Sequence, residues 1–220
     1  MCRPYLFIPA LPGIPGGEWT RMHISRNGDR RKTMISNDPL DGIKCIWHDE
    51  RIDVLTLPEG KYLTKCARET IYQGNAAIMK VANFEYDIPQ IENETWAYSV
   101  VNGYERNYAD EHSLVPRFLG HLTEHGRVIG ILLDKLPNVR CASIDDLEVC
   151  EAFVTRIHNA GLIHGDVNRF NFLIDNQDSA KSCILDLEHA EMFDRIKAVL
   201  ELESLISELT EETGRGQGFV

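Results

Sequence analysis

Several protein classes are excluded by what this sequence lacks. Nowhere in its 220 residues is there an uninterrupted apolar run of the ~20 positions that a membrane-crossing helix needs. The apolar opening, residues 1–17, is broken by Pro4, Pro9, Pro12 and Pro15. Each proline removes a helical N–H and crowds the preceding turn, so neither a secretion signal nor a span fits. The expectation is a soluble, cytoplasmic chain with no membrane partner. Zinc spacing is also missing: the six cysteines (Cys2, Cys45, Cys66, Cys141, Cys150, Cys183) are scattered, with no CxxC pair. Reduced thiols are the simple reading. Basic charge is scarce, with 23 Lys and Arg against 34 Asp and Glu for a net charge of −11. Neutralising a nucleic-acid backbone takes clustered cations, so nucleic acid is not expected as the main partner. There is no internal repeat and no low-complexity segment. What remains is ordinary globular composition, 43% hydrophobic and 26% charged, enough for one core or two small lobes around a cleft.

Residues 1–40 read as an extended arm punctuated by proline and glycine, with a basic cluster at Arg26, Arg30, Arg31 and Lys32 that reads as solvated loop. From Gly42 onward, the runs IKCIWHD, IDVLTL, KYLTKCA and AAIMKVA are short and rich in branched and aromatic residues. Turn signals at Pro58-Glu59-Gly60 and Gly74-Asn75 separate them, which predicts an antiparallel meander. Ile91, Thr95, Tyr98 and Val101 fall on helical spacing, with Pro89 near the start and Gly103 at the end. RVIGILLD, residues 127–134, predicts another strand. Ser143 and Asp146 resemble a capping box ahead of an apolar stripe that includes Cys150, Phe153, Val154 and Ile157, with Gly161 closing the helix. FLID and CILD follow as two short strands. A last helix, from about Asp194 to Thr213, carries Ile196, Val199, Leu202, Leu205, Ile206 and Leu209 on one side and a solvated acidic face opposite.

The informative stretch is His164-Gly165-Asp166-Val167-Asn168-Arg169-Phe170-Asn171, between a helix and a strand, with Asp186 ending another strand fifteen residues beyond Asn171. Phosphoryl transfer asks little of a protein: a carboxylate to orient the acceptor hydroxyl, hard oxygens for magnesium, and a lysine on the phosphates. Asp166, Asn171 and Asp186 supply the oxygens at this spacing. The plain alternative is capping and turn chemistry at strand ends, where Asp and Asn are common. His158 reads as a packed core histidine. His121 and His125 read as surface residues, because no third metal ligand lies nearby. Asn93-Glu94-Thr95 is a glycosylation sequon placed inside a predicted helix.

These residues carry a resemblance. The H-x-D-x-x-x-x-N run and the later Asp186 resemble the catalytic loop and metal site of the protein-kinase-like superfamily. The likeness is greatest to its small-molecule branch, the aminoglycoside and choline kinase type, and to short fungal kinase-like proteins, some of which accompany secondary-metabolite pathways. It spans roughly residues 45–195 and implies an α+β, two-lobe fold. That fold would comprise an antiparallel β-sheet N-lobe with one helix over residues 41–134 and a reduced, mainly helical C-lobe over residues 135–220. Carried onto this sequence, the family pattern makes Asp166 the catalytic base, and Asn171 and Asp186 the magnesium ligands. His164 would support the loop. Lys80, in AAIMKVA, would hold the phosphates, paired with Glu94 or Glu92. The backbone from Asp134 to Leu136 would meet adenine. The implied cofactors are ATP and Mg²⁺, and the implied partner is a small hydroxylated molecule.

The sequence also departs from that pattern. No G-x-G-x-x-G precedes Lys80, and the first hairpin offers only Gly60 and Gly74. Gly165 stands where protein kinases carry arginine, Asn168 where they carry lysine, and Asp186-Leu187-Glu188 is closer to D-x-E than to D-F-G. Only 34 residues follow Asp186, which leaves little room for a peptide-docking platform. The leading expectation is an ATP- and Mg²⁺-dependent phosphotransferase acting on a small molecule. The rivals are an atypical protein kinase, and a kinase-shaped protein that binds ligands or catalyses another biosynthetic step.

Overall fold

The computed structural model describes residues 12–27, 30–108, 113–178 and 181–214. The chain divides into two compact units, Met1–Asp41 and Gly42–Val220. Residues 1–11 of the expected arm, Cys2 among them, and the tail from 215 onward lie outside the described residues.

In the first unit, the stretch expected to be extended holds an antiparallel hairpin of β1 (Arg21–Asn27) and β2 (Arg30–Ser36). Met22 lies opposite Ile35 and Ile24 opposite Thr33, so one face is apolar at its base. Arg26 faces Arg31 near the tip, a like-charge pairing that weakens a strand pair. The hairpin signal is Asn27-Gly28 between two branched runs, a dipeptide suited to tight turns.

The second unit begins with a five-stranded sheet built from β3 (Arg51–Asp53), β4 (Ala67–Tyr72), β5 (Asn75–Val81), β6 (Phe118–Glu124) and β7 (Arg127–Asp134). Its order is β3-β6-β7-β5-β4, antiparallel except for the short β3–β6 pair. Strand alternation separates two cores. Phe118, Val128, Ile131 and Leu133 face α1 (Ile88–Tyr108), where Ile91, Tyr98 and Val101 meet them. Ala77, Met79, Leu122 and Leu132 pack on the opposite face with Ile52 and Val54. β7 is thus buried on both sides, which explains its continuous apolar run.

Beyond it come β8 (Val139–Cys141), α2 (Leu147–Asn159), β9 (Leu162–Ile163), β10 (Phe172–Asp175), β11 (Cys183–Ile184), β12 (Glu191–Met192) and α3 (Arg195–Leu209). β11, β10 and β8 form a small sheet, and β12 pairs with β9. The expected α+β order is observed: a mostly antiparallel sheet with one long helix comes first, and α2 and α3 follow among short strands. Asn93 on α1 donates to the carbonyls of Glu188 and Ala190, at 2.9 and 2.8 Å, so the sequon side chain is engaged within the fold. The five described cysteines are free, and no described helix is long and apolar enough to cross a membrane.

Some elements differ from expectation. Residues 43–49 form no strand. Glu92 instead accepts the N–H groups of Lys44 and Cys45 at 2.6 and 2.9 Å, and Trp47 donates to the Thr95 carbonyl, so the segment rides on α1. α1 runs through Gly103, because packing outweighs the ~1 kcal/mol that one helical glycine costs. His121 is buried on β6 rather than exposed, edge-on to Phe118 and near Trp47, and burial pushes its pKa down to about 4. α3 buries Ala198, Glu201, Leu205 and Leu209, whereas Ile196, Val199, Leu200 and Ile206 are exposed.

Candidate active site

Lys80 sits near the end of β5, between Ala67 of β4 and Ile131 of β7. Gly130 permits this close pairing: a Cβ there would stand 2.3 Å from the Lys80 carbonyl oxygen. The Lys80 ammonium donates to Glu94 Oε1 at 2.8 Å and to Asp186 Oδ1 at 2.5 Å. Of the two glutamates open from sequence, Glu94 is therefore the lysine's partner, while Glu92 holds the 43–49 segment. Burial alone would push the Lys80 ammonium down, but Glu94 and Asp186 outweigh it and hold it above its ordinary value. Burial pushes the Glu94 carboxyl up, more than Lys80 draws it down. Asp186 goes the other way: Lys80 overcomes its burial and keeps it ionised. Two carboxylates share one cation, and the more deeply buried one holds its proton more tightly.

The loop after β9 is wired from within. His164 is fully buried, and burial lowers its pKa. Its Nε2–H donates to the Leu185 carbonyl at 2.7 Å and its Nδ1 accepts from the Asp166 N–H at 3.3 Å, a neutral tautomer that joins the loop to the residue before Asp186. Gly165 has φ +82°, and a Cβ there would lie 2.3 Å from the His189 carbonyl oxygen. No other residue type fits, which accounts for the departure at this position. Asn168 caps the turn over residues 169–171 by accepting from the Phe170 N–H, and its amide donates to Asp166 Oδ2 at 3.0 Å. The Asn171 amide donates to the Asp166 carbonyl at 2.8 Å, and the Asn171 carbonyl accepts from the Leu185 N–H at 2.7 Å. Backbone and side-chain bonds thus link Asp166, Asn171 and the residue preceding Asp186.

Sequence reading missed Glu201, which it placed on the solvated side of α3. It is 8% exposed. Its carboxylate accepts from the backbone N–H of Gly165 at 2.7 Å, from that of His164 at 3.2 Å, and from His158 Nε2 at 2.8 Å. Burial would raise its pKa, but these bonds more than offset that and leave it below the ordinary value. The missed signal was a Glu at helical spacing with Ala198, Leu205 and Leu209. Next to this anchor, a cavity of about 350 Å³ is lined by Asp166, Val167, Lys197, Leu200 and Ser204 among others.

Asp186 occupies the left-handed region, φ 62° and ψ 62°, a conformation that costs a non-glycine residue some strain and recurs at functional positions. Among the described residues, no three His, Cys, Asp or Glu side chains gather into a metal cage. Magnesium takes one or two protein carboxylates and completes its shell with phosphate and water oxygens. Asp186 offers a carboxylate. Asn171, its amide nitrogen turned to Asp166, offers a carbonyl oxygen. Glu188 is half-buried nearby, its carboxyl raised by burial and by Asp186. The other expected contacts lie at the end of β7. Asp134 and Leu136 are half-buried there. The Asp134 N–H donates to the Arg117 carbonyl and the Lys135 N–H to that of Ala76.

No protein-family model matches the chain, and no curated protein does. Among solved structures, the chain is similar to vaccinia related kinase 3, with a TM-score of 0.46 and 13% identity over 71% of this chain and 53% of that one. The chain therefore spans about half the length of that structure.

Proposed function

We propose that this protein is an ATP- and Mg²⁺-dependent phosphotransferase acting on a hydroxyl of a small molecule. The observation that carries the reading is the Lys80 ammonium held between Glu94 of α1 and Asp186, beside a loop that ties Asn171 to Asp166. Lys80 would hold the α and β phosphates, and the backbone around Asp134 to Leu136 would receive the adenine. Asn171 and Asp186 would hold magnesium, whose charge neutralises the phosphate oxygens when it is bound. Asp166 borders the cavity under α3, where an acceptor hydroxyl would sit. Its carboxylate would orient that hydroxyl and accept the proton, a role worth ~10²–10⁴-fold in rate. Asn168 and Asn171 both donate to its Oδ2, at 3.0 and 3.3 Å, and so restrain the carboxylate.

The test is transfer of label from γ-labelled ATP into a small-molecule extract. Labelled low-molecular-weight product from the wild type, and about 100-fold less from Asp166→Asn, supports the reading. Label that goes only to protein, or no label in any product, contradicts it.

A further inference from the structure

The turn before β4 replaces the glycine-rich loop with something chemically different. Residues 61–63 pair back onto β4: Tyr62 bridges Arg68, and the Leu63 N–H donates to the Ala67 carbonyl at 2.9 Å. At the tip, Thr64 Oγ1 accepts from the N–H groups of both Cys66 and Ala67, at 3.2 and 3.0 Å. In a glycine-rich loop such N–H groups are what grips phosphate. Here a threonine has taken them. The turn adjoins the lysine strand: Ala67 lies directly opposite Lys80, and the Cys66 carbonyl accepts from the Val81 N–H at 2.8 Å.

One cation rides on this turn. The Lys65 side chain is 63% exposed, and its ammonium lies 3.1 Å from Asp87, which is 2% exposed and also accepts from the Phe84 N–H. Asn83 donates to the Lys65 carbonyl at 2.6 Å, fixing the backbone from which the side chain extends. The groups around the site are otherwise mostly anionic: Asp166, Asp186, Glu94 and Glu188 against Lys80. Beside Mg²⁺ and Lys80, a polyphosphate entering there would gain from a second protein cation.

We infer that Lys65 binds the terminal phosphate of the nucleotide, its side chain exchanging Asp87 for phosphate oxygens in place of the missing backbone N–H groups. The inference rests on the nucleotide reading above. It names the residue that tells a triphosphate from its shorter relatives.

The experiment is calorimetric titration of the full chain with ATP, ADP and adenosine in Mg²⁺, for the wild type, Lys65→Met and Lys65→Arg. Loss of one charge-assisted contact predicts that Lys65→Met binds ATP about tenfold or more weakly. Adenosine affinity should stay within about twofold, because it has no phosphate for Lys65 to meet, and Lys65→Arg should recover most of the ATP affinity. Equal weakening toward adenosine would assign Lys65 a purely structural part and overturn the inference. A wild type that binds ATP while Lys65→Met binds it equally well overturns the inference alone. A wild type that binds none of the three overturns the nucleotide reading together with it.

Discussion

At the scale of single residues, the site is a set of groups that depend on one another, and the dependence makes folding and function separable by measurement. Glu94 is fully buried, so Lys80→Ala would strand its carboxylate without a cation and cost about 3–5 kcal/mol, read as a lowered urea midpoint. Gly165→Ala should cost about 2–4 kcal/mol, combining a positive φ with a clash on the His189 carbonyl, and it should lower stability and activity together. Asp166, Asn171 and Asp186 were legible as candidates from their spacing, and Lys80 and Glu94 as candidates only through the resemblance; hydrogen bonds join Asp166 to Asn171, and Lys80 to both Glu94 and Asp186. Glu201 was not, because nothing local distinguishes a buried helix glutamate from a solvated one. Its role comes from two backbone N–H groups 36 and 37 residues earlier.

At the scale of elements, the reading succeeded where local chemistry suffices. The 127–134 and 172–175 strands, the 143–146 cap and the stripe of α2 are each set by residues within a few positions. It failed where a distant partner decides. Residues 43–49 have strand composition, yet Glu92 supplies their acceptors, and β6 hides its strand character behind a histidine and a glycine. α3 has apolar residues on two sides, and only packing says which is inside. Leu205→Ala should therefore cost about 2–5 kcal/mol. Ile196→Ser and Ile206→Ser should each stay within about 0.5 kcal/mol, a contrast that thermal unfolding resolves. α3 also carries the pH dependence. The Glu201 carboxyl is held below its ordinary 4.5, so its stabilisation is fully present above that pH and is lost as pH falls through its folded-state value. Asp146, drawn down to about 2 by Arg140, adds a loss between its ordinary 3.8 and that value. Glu201→Gln should be less stable than wild type by about 2–4 kcal/mol at neutral pH, and the gap should narrow steadily below pH 4.5 in urea titrations.

At the scale of the whole molecule, a net charge of −11 and an anionic site would repel a nucleotide, so the proposed binding would have to be local and metal-assisted. That is the central claim. The direct measurement is calorimetric titration of ATP into the full chain with and without Mg²⁺, for the wild type, Asp186→Asn and Asp166→Asn. The account predicts one saturable site that requires Mg²⁺, weakened about tenfold or more in Asp186→Asn and little changed in Asp166→Asn. Wild-type binding that is absent, or that persists equally without Mg²⁺ and in Asp186→Asn, would contradict it.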